Sequence, residues 1–148
     1  MNALIAGALV WPLILGGALA LRVSGTAPFV STAVYVAASR ICHQRDERSF
    51  HTDGARWPVC GRCSGLYLGG AVGALVAAAG RRRRPGVSSQ RLGHLAIVAV
   101  PTALTFVFEW TGLVPVSNLA RLITAVPLGA LVVVVLVETA AGRRAGIG

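Results

Sequence analysis

The residues able to do chemistry are concentrated in one stretch, since all three cysteines and two of the three histidines fall between Cys42 and Cys63. Cys60-x-x-Cys63 has the spacing at which two thiolates grip one metal ion, and Cys42 with an imidazole would complete a four-coordinate set of three cysteines and one histidine. Zinc is the first expectation, by ligand softness and tetrahedral preference, with iron or copper as the other thiolate metals. His43 and His51 compete for the fourth position. A ring adjacent to Cys42 needs a turn that aims both side chains at one point, whereas His51 has the freedom of a loop. Four protein ligands make a structural site. Three leave a position open, as in a metal-dependent hydrolase or transferase, here acting on lipid-borne groups.

One such pair plus a distant Cys-His is half of a zinc signature, so two other chemistries stay open. A thiol pair at a helix start is acidified by the helix dipole and by Arg62, which favours disulfide exchange with Cys42 as relay partner. A plain staple, Cys60–Cys63 or Cys42–Cys60, would serve structure only.

Glu109 lies inside an apolar run, a setting in which an ionisable residue marks a functional site. Arg121, at the facing end of the next run, is its nearest candidate partner, and the pair either serves the site or pins two helices. Arg48 and Arg62 offer planar forks for an anionic head group or phosphate. Alternatively they satisfy Asp46, Glu47 and loop carbonyls, which is the role expected of Arg45 and Arg56. The candidates for handling a substrate are therefore Glu109, Arg48, Arg62 and Arg121. Asn118, just before the last apolar run, is expected to cap its helix. Trp11, Trp57, Trp110 and Tyr67 read as interfacial anchors, and His94 as incidental.

The elements that must position these residues are membrane helices. Of 148 residues, 55% are hydrophobic and 13% charged, too few polar side chains to coat a soluble globule. All 14 basic residues are Arg against 5 acids, a formal charge of +9. These arginines flank apolar runs and form no basic face interleaved with aromatics, which excludes a nucleic-acid partner. The expected fold is an all-α polytopic bundle, a single membrane domain over 1–148. It has four or five spans, at about 2–21, 26–39, 59–80, 92–114 and 119–138. The run 26–39 is the weakest. Between the spans lie a Cys/His-rich motif loop at 40–65 and a basic loop at 81–91, where Arg81 to Arg84 and Pro85-Gly86 forbid a bilayer interior. The first run carries an Ala18-Leu19-Ala20 site like that of a cleaved signal, but no basic residue precedes it, so a retained helix is expected.

Five crossings place eight arginines on the side of 81–91 and six on the other. The four-arginine loop makes its side cytoplasmic, with the start of the chain outside, its end inside, and the cysteines, Glu109 and Arg121 together at the extracytoplasmic end of a plasma-membrane protein. Gly61, Gly65, Gly69 and Gly73, followed by Ala77, recur every four residues and form a stripe for close helix packing. The stripe serves the bundle itself or, alternatively, a protein partner or second copy.

Cys42-His43-Gln44, Glu47-Arg48-Ser49-Phe50 and Pro58-Val59-Cys60-x-Arg62-Cys63-x-Gly65-x-Tyr67-x-Gly69 resemble the motif of a family of small predicted membrane proteins of bacteria and archaea, catalogued as a domain of unknown function. Glu109-x-Thr111, Ser117-Asn118-x-x-Arg121-x-x-Thr124 and Gly129 are similar to its second motif. Asp often stands there in place of Glu109, and a Gly where this chain has Ala125. The resemblance spans roughly residues 40 to 130 and leaves the first run outside. It implies that His43, not His51, belongs with the three cysteines, because the family motif has no histidine at position 51, and it supplies no activity. Function rests on the residues: a zinc site of Cys42, His43, Cys60 and Cys63 beside an Arg/Glu cluster, a membrane thiol-disulfide oxidoreductase, or an accessory membrane subunit.

Overall fold

The computed structural model describes residues 2–80 and 89–145. The four-arginine run and its Pro-Gly break, and with them most of the expected basic loop, lie outside the described residues.

Ala- and Leu-rich sequence, uncharged as far as Arg22 in the last turn, makes α1, Asn2–Ser24. The chain turns at Gly25 and starts α2, Pro28–Ser39, with proline at the helix start, where its missing N–H costs nothing. Twelve residues rise only about 18 Å, short of a hydrocarbon core of about 30 Å. The run expected as a second span is therefore a short helix that packs back along α1. Among the described residues, four helices are long and apolar enough to cross a membrane: Asn2–Ser24, Gly61–Ala79, Gly93–Thr111 and Asn118–Gly142.

The expected motif loop is more ordered than a loop. A single 3-10 turn at Asp46–Arg48 leads into β1, Ser49–Thr52, which pairs antiparallel with β2, Ala55–Cys60. Asp53 and Gly54 connect them with φ of +49° and +75°, the left-handed pair that a two-residue hairpin turn requires. An irregularity between Ser49 and His51 shifts the register, so that Ser49 pairs with Cys60 and His51 with Arg56. β2 then runs directly into α3, Gly61–Ala79. Beyond it come α4, Ser89–Thr111, and α5, Asn118–Ala145.

The glycine stripe sets the packing. A Cβ added at Gly65, Gly69 or Gly73 would overlap the carbonyl oxygen of Leu122, Val126 or Ala130, and one added at Gly129 would overlap that of Leu66. α3 and α5 thus touch backbone to backbone, and the stripe is used within the chain instead of being offered to a partner. The buried Ala125 faces Gly65 across this seam, a small residue where close approach demands one. α1 runs antiparallel to α3. Ile5 packs with Ala74 and Val137 at one end, while Leu15 packs with Ala38, Cys42 and Val59 at the other. α4 leans on α5, where the Thr102 hydroxyl donates to the Thr124 carbonyl at 2.8 Å.

Candidate functional site

The sulfur atoms of Cys42, Cys60 and Cys63 all lie within 4.8 Å of one another. Three elements bring them together. Cys42 sits in the loop after α2, Cys60 ends β2, and Cys63 occupies the first turn of α3. The backbone N–H of Cys60 donates to the Cys42 sulfur at 3.2 Å. The loop is held by Gln44, which adopts a left-handed φ of +48°. Its amide donates to the Tyr35 carbonyl at 2.7 Å and the Pro58 carbonyl at 2.8 Å, tying α2 to β2. The Arg56 guanidinium donates to the Gln44 carbonyl, and the Tyr35 hydroxyl donates to the Arg56 carbonyl at 2.5 Å. Trp11 and Tyr67 pack edge to face at 6.3 Å against the same cluster and form its apolar wall.

All three thiols are free. Hydrogen bonds from the Cys60 side chain, then from the Cys63 side chain, hold the Cys42 thiol well below the ordinary thiol range, against the opposing effect of its burial. Three sulfurs this close together are the donor set of a thiolate metal site. Neither histidine belongs to the three-sulfur group. His43 is exposed, and His51 Nε2 lies 3.1 Å from the exposed Asp46.

A second cluster forms on another face of the same helix start. Successive helical residues point about 100° apart, so Arg62 diverges from Cys63 and reaches α4. Its Nη2 lies 3.1 Å from Glu109 Oε2 and donates to the Thr105 hydroxyl at 3.4 Å. Glu109 Oε1 meets Arg48 Nε at 2.5 Å and Arg121 Nη2 at 3.3 Å. The expected Glu109–Arg121 pair is thus present, but as part of a cluster of three guanidiniums on one carboxylate. The side chains of Glu109 and Arg121 are each 9% exposed, Arg62 19% and Arg48 35%. The other arginines behave as the loop reading expects: Arg45 Nη1 is 3.8 Å from Glu47 in solvent, and Arg56 satisfies a carbonyl.

Asn118 does not cap α5. The hydroxyl of Ser117 accepts from the Ala120 N–H at 3.1 Å and fills that role. Asn118 instead donates to the Ser49 carbonyl at 2.9 Å and accepts from Arg121 Nη1 at 2.5 Å, fastening the hairpin to the helix bundle. Gln44 and the Asp53-Gly54 hairpin escaped sequence reasoning. Thr52-Asp53-Gly54-Ala55 was the signal available for the turn. Of the remaining aromatics, Trp57 packs on Phe50 with ring centroids 5.2 Å apart, while Trp110 is 83% exposed, as a membrane-surface anchor would be. His94 is exposed.

The family model described as predicted membrane protein (DUF2085) matches residues 42–135. The match begins at Cys42 and includes every member of both clusters. An uncharacterized protein of Methanocaldococcus jannaschii, MJ1492, is 32% identical over 105 residues, which are 71% of this chain and 67% of its own length. An uncharacterized protein of Methanothermobacter thermautotrophicus is 55% identical over 29 residues, 20% of this chain and 26% of its own length. No solved structure matches.

Proposed function

The chain belongs to the predicted membrane protein family DUF2085, and from that premise we propose that it is a multi-pass membrane protein that holds a zinc ion through Cys42, Cys60 and Cys63 at the extracytoplasmic end of its bundle. The observation that carries this reading is the convergence of the three sulfurs to within 4.8 Å. Thiolates at about 2.3 Å from a common tetrahedral centre stand about 3.8 Å apart, so a small contraction of the existing triangle completes the site. Sulfur softness favours zinc over the oxygen-seeking cations. The fourth position is open among the cysteines. His43, next to Cys42 in the chain, is the ligand we assign to it, by a turn of its exposed ring.

The placement in the membrane follows from charge. α3 alone separates the cysteine cluster from Arg81 to Arg84, so putting those four arginines in the cytoplasm puts the cluster outside, whether or not α2 crosses. With four crossings, the start of α1 joins the end of α5 on the cytoplasmic side, and seven arginines fall on each face. The decision then rests on concentration: Asp46, Glu47, Asp53 and Glu109 share the outer face with its arginines, whereas the four-arginine run has no acid beside it.

Elemental analysis of detergent-purified protein, with thiols counted after denaturation in chelator, tests the reading. About one zinc per chain and three reactive thiols are expected. No metal together with a single reactive thiol would mean a disulfide and would replace the metal reading with thiol-disulfide chemistry.

A further inference from the structure

The cluster around Glu109 carries an unbalanced charge. Arg48, Arg62 and Arg121 converge on one carboxylate, so the group holds two net positive charges where Glu109 and Arg121 are almost fully buried. Among the described residues the other carboxylate near Arg48 is Glu47, at 4.0 Å, and it is exposed and shared with Arg45. The donors are unbalanced as well. Arg62 and Arg121 spend η nitrogens on Glu109, Thr105 and Asn118, while the Nε of each is buried with no hydrogen-bond partner; Glu109 Oε1, which has ion-pair contacts to Arg48 and Arg121 but no hydrogen bond, can take up only one side of that excess. Buried guanidinium N–H groups without acceptors are costly, and a structural ion pair would not recruit two more cations than it can neutralise.

We propose that Arg48, Arg62 and Arg121 form a binding site for a phosphate group, with Glu109 as the fixed counter-charge that holds their forks in register. A phosphate carries close to two negative charges near neutral pH and presents several acceptor oxygens, which matches both the charge excess and the idle Nε donors. A carboxylate would leave one charge unmatched. Arg48, the most exposed of the three, is the way in, and buried Arg121 is the floor. Phe106, over which the Arg62 guanidinium stacks at 5.4 Å, and Trp110 one residue beyond Glu109 are both largely exposed. The site therefore opens beside apolar surface, so its phosphate comes either free from solution or as the phosphomonoester head group of a lipid such as phosphatidic acid, since a phosphodiester head group carries only one negative charge. The site faces away from the three cysteines and does not rest on the zinc reading.

The test uses the full chain in phosphatidylcholine nanodiscs, with inorganic phosphate titrated against chloride of equal ionic strength and the thermal unfolding midpoint as readout. A saturable rise with phosphate is expected. Arg48→Gln should weaken it roughly tenfold or more, as the loss of a charge-assisted pair implies, and the exposed Arg45→Gln should leave it unchanged. Nanodiscs containing phosphatidic acid distinguish the sources. A midpoint already raised there, with no further response to inorganic phosphate, assigns the site to a lipid head group. A response to inorganic phosphate of equal size in both discs assigns it to the free ion. No rise in either disc overturns the proposal. So does a rise that Arg48→Gln leaves intact while zinc is retained, because that phosphate would be bound elsewhere, for instance at the metal.

Discussion

The Cys60 backbone N–H lies 3.2 Å from the Cys42 sulfur, so the end of β2 and the loop after α2 meet at atoms that would hold a metal. That contact sets the spacing between Cys42 and the Cys60-x-x-Cys63 pair. The site is built on backbone geometry as much as on side chains, and its consequences can be measured.

Each thiolate has a distinct structural origin, so none can substitute for another. Cys42→Ser, Cys60→Ser and Cys63→Ser should each reduce bound zinc from about one per chain to background. His43→Ala should keep the stoichiometry and lower the affinity by about tenfold, because water can fill a fourth position that three thiolates leave open. Competition with a chromogenic chelator reads both effects. Unchanged affinity in His43→Ala would remove that histidine from the site.

Gln44 touches no sulfur through its side chain, yet it ties the Cys42 loop to α2 and β2 through the Tyr35 and Pro58 carbonyls. Gln44→Ala should leave three reactive thiols and weaken metal binding by about 10–100-fold, the usual scale for losing a residue that orients a ligand. A variant with native affinity would show that the loop is positioned by its backbone alone.

Glu109 is the single carboxylate among three arginines. Glu109→Gln removes the buried negative charge on which the three guanidiniums converge and should cost about 3–5 kcal/mol in denaturant unfolding. Glu47→Gln, on an exposed carboxylate, should stay within about 0.5 kcal/mol. Similar losses in the two variants would mean that the cluster is screened as a surface network is.

The α3–α5 seam leaves no room for a side chain at Gly69, where a Cβ would meet the Val126 carbonyl, whereas Gly16 of α1 has open space around it. Gly69→Val should cost about 1–3 kcal/mol or prevent folding, and Gly16→Ala should be neutral or slightly stabilising. Resistance to thermal aggregation in detergent separates the two. Equal tolerance would argue against backbone contact between these helices.

Much of this architecture was legible because its signals are local. Apolar runs of membrane length fall on α1, α3, α4 and α5, although α5 continues seven residues past the expected end, and the four-residue glycine period marks the seam, whose partner is α5 of the same chain. The three cysteines were legible as a set by their clustering. The errors came where tertiary structure decides. The run at 26–39 is apolar, but Pro28 and Arg40 confine its helix to a length that hydropathy alone does not reveal. Ser117 and Asn118 are both good caps by type, and only the Ser49 carbonyl and Arg121 explain why Asn118 is turned elsewhere. Arg48 meeting Glu109 across 61 positions of chain depends on a hairpin register that no spacing rule encodes.

Whether a zinc ion sits on the three sulfurs is read by X-ray absorption at the zinc edge of the purified protein. A shell of three sulfur atoms at about 2.3 Å with one nitrogen or oxygen at about 2.0–2.1 Å is expected. A zinc environment of nitrogen and oxygen alone, or protein free of zinc with its cysteines oxidised, would contradict it.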